Sequence, residues 1–590
     1  MSFAPAAFAV SCFKRIRRFF DGFFYIVGVS ATLAAAFCLY RMAAGSKTSF
    51  EQGTVLRLGV EDALYETRPD DFIGSLTFGN PPTVWDVVSG LNRAADDPAV
   101  SGLVAYMTQM PLTVAQTQEI RAAVKRFKKA GKKTVFYAPT IGELGGGLSM
   151  YYLASAFDEI RIQPGGEVGV AGIAVETPYF KKALEKVGIK PSFSARHEYK
   201  TGADSLSAEK MSDAERENLT AVFNDFLDVM AADIAADRPF ATPAQVRKIL
   251  TSGPYFAQRA LEMKLIDKVE YADVLERELK ERDADIVDLF DYTAATYPEI
   301  GKKTPVVALI PAVGIIQSGP SVFGGDAYRS ILGFSTFSEQ LRDAADDETV
   351  KAIVIRLDSP GGGYTPSDAM RREIEYVKTV SQKPVVCSMA GTAASGGYFA
   401  SLGCDRVFAV PATLTGSIGV FGGKLVFKDL LKKLDVSVGL IQTGENASMF
   451  SAARDFTPSQ RKYFNESLDR VYSDFTTKVA DRRGFTPAET DAVARGRVFT
   501  GARAKANRLI DETGGLADAV AAAVQMAGLP ENTPVVEYPA VPSRIEMLLG
   551  LLDSNTAVSL RKGFAPSVKM YVKRLTQGDF RLFYSGLPAF

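Results

Sequence analysis

The sequence predicts an α/β protein built by tandem duplication of one parallel-sheet unit, preceded by one N-terminal transmembrane helix. Three observations carry this. Segments recur in the same order in the two halves. Short apolar runs alternate with amphipathic helical stretches in each half. The run from Gly22 to Tyr40 carries no charge.

The apolar run comes first. At about 1.5 Å per residue it is just long enough to cross a bilayer. Lys14, Arg15, Arg17 and Arg18 precede it, so the positive-inside rule keeps the N-terminus cytoplasmic and exports the rest. Residues 1–47 are expected to form a tail and an uncleaved signal anchor, with Arg41 to Ser46 a weak cleavage alternative. Cys12 then faces the cytoplasm, Cys38 lies in the membrane, and Cys387 and Cys404 are exported. That last pair reads either as small buried hydrophobes or as a disulfide.

The 590 residues are 47% hydrophobic and 23% charged, an ordinary globular composition. Lys+Arg and Asp+Glu each total 68, and a neutral chain is a poor match for nucleic acid. One histidine and four cysteines leave too few ligands for a Cys/His metal site. A Ser-His-Asp triad could only use His197.

The duplication organises the rest. Val100 to Gln109 parallels Val350 to Ser359, Met150 to Ile173 parallels Gly397 to Val420, and Tyr255 to Val269 parallels Val498 to Thr513. LVAY and TVFYA in the first half, and AIVIRL and PVVCSMA in the second, read as buried strands. Helices are predicted over 116–130 and 366–380, with Arg121 to Lys133 as a solvated face. A boundary falls near Tyr297 to Val307, giving repeats at 48–300 and 301–535. Residues 536–590 fall outside the duplication; this basic, aromatic tail suits either a membrane surface or packing against the body.

Positions shared by both halves read as structural: Tyr151 and Tyr398, Asp158 and Asp405, Pro164 and Pro411, Gly169 and Gly416. Asp405 is discounted as a catalytic acid on that ground. Positions that differ are more informative. Ser395 stands among small residues where the first half has Leu148. A helix N-cap is the competing reading for it. Lys200 aligns with Ala447, so each half carries one candidate that the other lacks. The second half alone has DSPGGG, from Asp358 to Gly363. Glycines at a strand end can turn backbone N–H groups toward an oxyanion. A plain tight turn competes, and a nucleotide loop would need a G-x-x-x-x-G-K-[ST] pattern that is missing.

With DSPGGG, AASGGYFAS, TGSIGV, the anchor and the tandem repeat in place, the chain resembles the long two-domain form of bacterial signal peptide peptidase (protease IV, SppA). The resemblance covers roughly residues 50–530. It implies a crotonase/Clp-protease-like fold in each repeat and a Ser/Lys dyad. Ser395 would be the nucleophile and Lys200 the general base. Ser417, where the first repeat has Val170, would orient the lysine. Gly361 and Gly362, with Gly396, would form the oxyanion and substrate-binding backbone. The resemblance further implies cleaved signal peptides as substrates, no cofactor, no metal and a homo-oligomer, in the family a tetramer. The catalytic body would stand in the periplasm on the bacterial inner membrane. The alternatives are an inactive membrane-anchored scaffold and a crotonase-like acyl-CoA enzyme; the export signal disfavours the latter, because CoA is cytoplasmic.

A free lysine, charged at neutral pH, cannot be a base. Lys200 is therefore expected to be buried among apolar groups with no carboxylate partner, Glu198 and Asp204 pointing elsewhere. The peptide would bind extended, as an added strand.

Overall fold

The computed structural model describes residues 50–538 apart from 61–62, 70–77, 110 and 144–145. The predicted anchor at 22–40 and the tail beyond 538 lie outside the described residues. Among the described residues no helix is long and apolar enough to cross a membrane.

Two sheets with the same strand order form the body. The first runs Lys268–Val269, Glu159–Ile162, Lys133–Ala138, Val100–Tyr106, Thr54–Gly59, Ile286–Asp288, all parallel. The second repeats that order with Glu512–Thr513, Arg406–Ala409, Val385–Ala394, Val350–Ser359, Val306–Val313 and Val535–Glu537, all parallel, and adds Leu414–Gly416 parallel to the end of Val385–Ala394 with Val498–Thr500 antiparallel beside it. The register even slips at matching places, Thr54/Val55 and Val306/Val307. The chain is an α/β duplication. Its central strands are near-continuous Val, Ile, Leu and Ala because helices cover their faces.

The shared residues do the same work twice. Asp158 accepts the Thr134 N–H at 3.0 Å and Asp405 accepts the Val385 N–H at 2.8 Å. Tyr151 donates to the Leu265 carbonyl and Tyr398 to the Leu509 carbonyl. Cys387 and Cys404 are buried free thiols.

Two expectations need correction. The strand Val535–Glu537 pairs with Val306–Val313, as Ile286–Asp288 pairs with Thr54–Gly59. The second repeat therefore runs past the boundary drawn at 535. Nor is Arg121 solvated: it is 2% exposed, bonded to Asp237 at 2.5 Å and to Ser155, with its guanidinium over the Tyr152 ring. Burial of the apolar face of Val114–Lys129 carries that side chain in, and Asp237 neutralises it.

Among the contacts that join the repeats, two bear most on the site. The strand Lys190–Arg196 leaves the first repeat and pairs antiparallel with Val420–Val426 of the second. Deeper in, Arg356 of the second repeat is 1% exposed and bonded to Glu66 at 2.8 Å and Glu119 at 2.5 Å, both from the first. Ser388 Oγ accepts a third guanidinium hydrogen bond, and Glu119 also accepts the Leu516 N–H.

Candidate active site

The strand Val385–Ala394 delivers Ser395. Its register against Val350–Ser359 jumps from Leu357 opposite Met389 to Ser359 opposite Ala393. Asp358 lies in that gap and its carboxylate accepts the Thr392 N–H at 2.8 Å. Burial first, then the Glu66 charge, raises the Asp358 carboxyl above the usual range. The chain then turns sharply: Ser395 has φ 53° and ψ −117°, a conformation that costs roughly 1–3 kcal/mol in a non-glycine residue. It immediately precedes the helix Gly396–Ser401 but makes no capping hydrogen bond. The N-cap reading therefore does not describe this side chain.

The glycine loop passes beside it. Gly361 has φ 107°, and a Cβ there would sit 2.8 Å from Ser395 Cβ. A Cβ on Gly362 would lie 2.1 Å from the Ile316 carbonyl oxygen. Ile316 fixes the loop by donating to the Gly361 carbonyl and accepting from the Gly363 N–H. The N–H of Gly361 is already given to Ser359 Oγ at 3.1 Å. Gly361 thus shapes the loop, and does not donate as the sequence suggested. Among the described residues the N–H groups of Gly362 and Gly396 have no acceptor. The two lie close together, since a Cβ on Gly396 would be 3.2 Å from Gly362 N.

Lys200 arrives from the other repeat, just after Lys190–Arg196. Its backbone packs so closely on Gly496 (φ 89°) that a Cβ there would lie 2.4 Å from Lys200 N. Its Nζ lies 3.0 Å from Ser395 Oγ and 2.8 Å from both Ser417 Oγ and the Ser417 carbonyl oxygen. Lys200 is 6% exposed, and burial alone pushes its pKa down to about 7. No carboxylate pairs with it among the described residues. Glu198 is turned away into a bidentate pair with Arg495, at 2.8 and 2.9 Å. The Asp204 carboxyl is raised to about 6 by burial and by Glu215. Ser417, itself at φ 51°, is held by its N–H on the Arg497 carbonyl.

The sequence reading missed the segment that locks the lysine loop. The Arg495 carbonyl accepts from His197 N and Tyr199 N, and Gly496 N donates to Ile418. The Arg497 guanidinium stacks on Tyr199, 3.6 Å from the ring centroid, and pairs with Glu217. His197 is exposed with its ring edge-on to Tyr472, and does not line the cavity. That cavity, about 550 Å³, opens around Ser395 and Lys200, with Val222, Leu414, Phe421, Phe464 and Phe475 among its apolar walls.

A hydroxyl, an uncharged-capable amine within hydrogen-bond reach and two idle N–H groups can carry acyl transfer through a serine ester, which defines the class: a serine hydrolase. The chain belongs to peptidase family S49, whose profile matches residues 126–286 and 378–530, one match in each repeat. It is a serine endopeptidase of the signal peptide peptidase, protease IV type. Protease 4 of Salmonella typhi is 32% identical over 493 residues, 81% of this chain and 77% of that protein. The chloroplastic serine protease SPPA of Arabidopsis thaliana is 31% identical over 455 residues, 75% of this chain and 65% of that one. Among solved structures, the membrane-bound stomatin-specific protease 1510-N is 17% identical, with TM-score 0.24 over 41% of this chain and 99% of that one.

Proposed function

We propose that the chain hydrolyses remnant signal peptides with a Ser395/Lys200 dyad shared between its repeats. One observation carries the reading: Lys200 Nζ lies 3.0 Å from Ser395 Oγ, buried and without a carboxylate. Neutral Lys200 takes the Ser395 proton and Oγ attacks the peptide carbonyl. The N–H groups of Gly362 and Gly396 hold the oxyanion. The lysinium, steadied by Ser417, passes its proton to the leaving amine, and water then cleaves the acyl-enzyme. An apolar cavity beside the nucleophile suits the apolar side chains of a signal sequence.

The remaining parts of the proposal follow from the sequence. Residues 1–47 anchor the protein in the bacterial inner membrane with the N-terminus cytoplasmic. The two repeats, each of crotonase/Clp-protease-like fold, stand in the periplasm as a homo-oligomer. Anchoring raises the local concentration of enzyme near its membrane-bound substrate without any added contact.

The test is hydrolysis of a hydrophobic signal-peptide-like substrate by the full chain, with and without Ser395→Ala. The variant should lose all measurable turnover. Because the base must be neutral, wild-type kcat/KM should rise about tenfold per pH unit below 7 and level off above it. Activity that persists in Ser395→Ala, or a flat profile from pH 5 to 9, would rule the dyad out. Gly362→Ala places a methyl against Ile316 and displaces one oxyanion donor. Its kcat should fall about 10²–10³-fold. A fall below threefold would locate the oxyanion elsewhere.

A further inference from the structure

Two charged side chains stand among those that line the cavity around Ser395, Lys200 and Glu215. They are not partners, since burial alone shifts Lys200. The proposed mechanism uses the lysine and gives the carboxylate no task.

Glu215 lies in the first turn of the helix Asp213–Asp237, and the Ser212 cap accepts its N–H at 3.1 Å. The ordinary work of a side chain at this position is to reach back to the N-cap N–H. Asp86, Gln116, Gln245, Gln460 and Glu489 do so at the same place in their own helices. Glu215 turns away instead. It is 6% exposed, and its Oε2 accepts from the Tyr179 hydroxyl at 2.7 Å. Among the described residues its Oε1 accepts no hydrogen bond, and no Lys, Arg or His pairs with it. Its nearby acid is Asp204, which the Glu215 charge helps to raise.

The duplication offers a comparison. The helix Pro458–Arg483 corresponds to Asp213–Asp237: each is followed by a short helix opening on Thr-Pro, Pro487–Val493 and Pro243–Leu250. At the position of Glu215 the second repeat has Gln460, neutral and closed into its cap. Glu215 thus breaks the duplication, as Ser395, Lys200 and Ser417 do.

A carboxylate almost shut off from water is costly until a cation meets it. We infer that Glu215 is a specificity residue that binds the ammonium or guanidinium head of a Lys or Arg side chain in the peptide substrate. Leu219 and Val222, one and two turns along the same face of the helix, also line the cavity and would cover the aliphatic stem. A cleaved signal peptide has this chemistry, a basic segment joined to an apolar one. The bond cut would then lie at a fixed distance from a basic residue. The inference rests on the peptidase reading above and names what its site selects.

The test uses the full chain in detergent and a series of quenched fluorescent apolar peptides, each with one lysine moved along by one position. Each is matched by a peptide with norleucine, which keeps the stem and lacks the charge. At one position, counted from the bond cut, lysine should exceed norleucine by about tenfold or more in kcat/KM, chiefly through KM. Glutamate at that position should give the poorest substrate. Glu215→Gln, which can still accept from Tyr179, should bring the lysine preference below about threefold. A wild type that shows less than threefold preference at every position overturns the inference without reference to any variant. So does a tenfold preference that survives in Glu215→Gln. In either case, cleavage that Ser395→Ala abolishes leaves the peptidase reading standing. A wild type that cuts none of the peptides removes that reading, and this inference with it.

Discussion

Replacing Lys200 by methionine should lower kcat by about 10²–10⁴-fold and, at the same time, raise the melting temperature. On the proposed dyad, the loss follows from removing the base that activates Ser395. The gain follows from linkage. Burial holds the folded-state pKa near 7, far below the free lysine value, so between those values the unfolded chain binds the proton that the folded chain does not. Unfolding is therefore favoured progressively as pH falls from about 10.5 to 7, and the cost stays constant below. At roughly 1.4 kcal/mol per unit it reaches a few kcal/mol at neutral pH. Methionine keeps the packing and removes the cost. Thermal melts of both proteins at pH 7 and pH 10 check this: the variant's advantage should shrink at the higher pH. A variant with unchanged turnover, or one that melts lower at pH 7, would contradict the proposed role of burial.

Arg356→Met should be the most damaging substitution far from the nucleophile, at about 3–5 kcal/mol of stability. It would leave Glu66 and Glu119 buried at 5% and 1% side-chain exposure with no countercharge. Because those carboxylates belong to one repeat and the arginine to the other, activity should fall with the loss of docking, although Arg356 touches no reacting atom. Adding Glu66→Gln and Glu119→Gln should restore much of the stability, since the expense lies in the unpaired charges. Urea denaturation of the single and triple variants measures both. A single variant within 1 kcal/mol of wild type would show that the cluster does not hold the repeats together.

How much of this was readable beforehand depends on the kind of signal. The duplication was legible because equivalent strands share apolar runs, and the three residues that meet at the candidate site stood out because each breaks the duplication: Ser395 against Leu148, Lys200 against Ala447, Ser417 against Val170. Contacts between distant segments were not. Nothing around Glu66, Glu119 or Arg356 announces that an arginine 290 and 237 positions from the two carboxylates meets both in the interior. Arg121 was misread for the same reason, since its partner Asp237 lies on another helix. Gly361 was assigned the wrong task because its N–H is consumed by Ser359, a local bond that the residue types permit and do not require. The strand Val535–Glu537 is too short for periodicity to separate it from the tail.

Ser395 and Lys200 are separated by 195 positions and reside on different repeats. During synthesis, then, the first repeat emerges holding an amine with no hydroxyl to activate, and the second brings its hydroxyl long afterwards. The lysine loop gains its bed on Gly496 later still. On the dyad reading, a half-made chain is inert. On that reading, cutting power arises only when the two halves dock and bring Lys200 to Ser395.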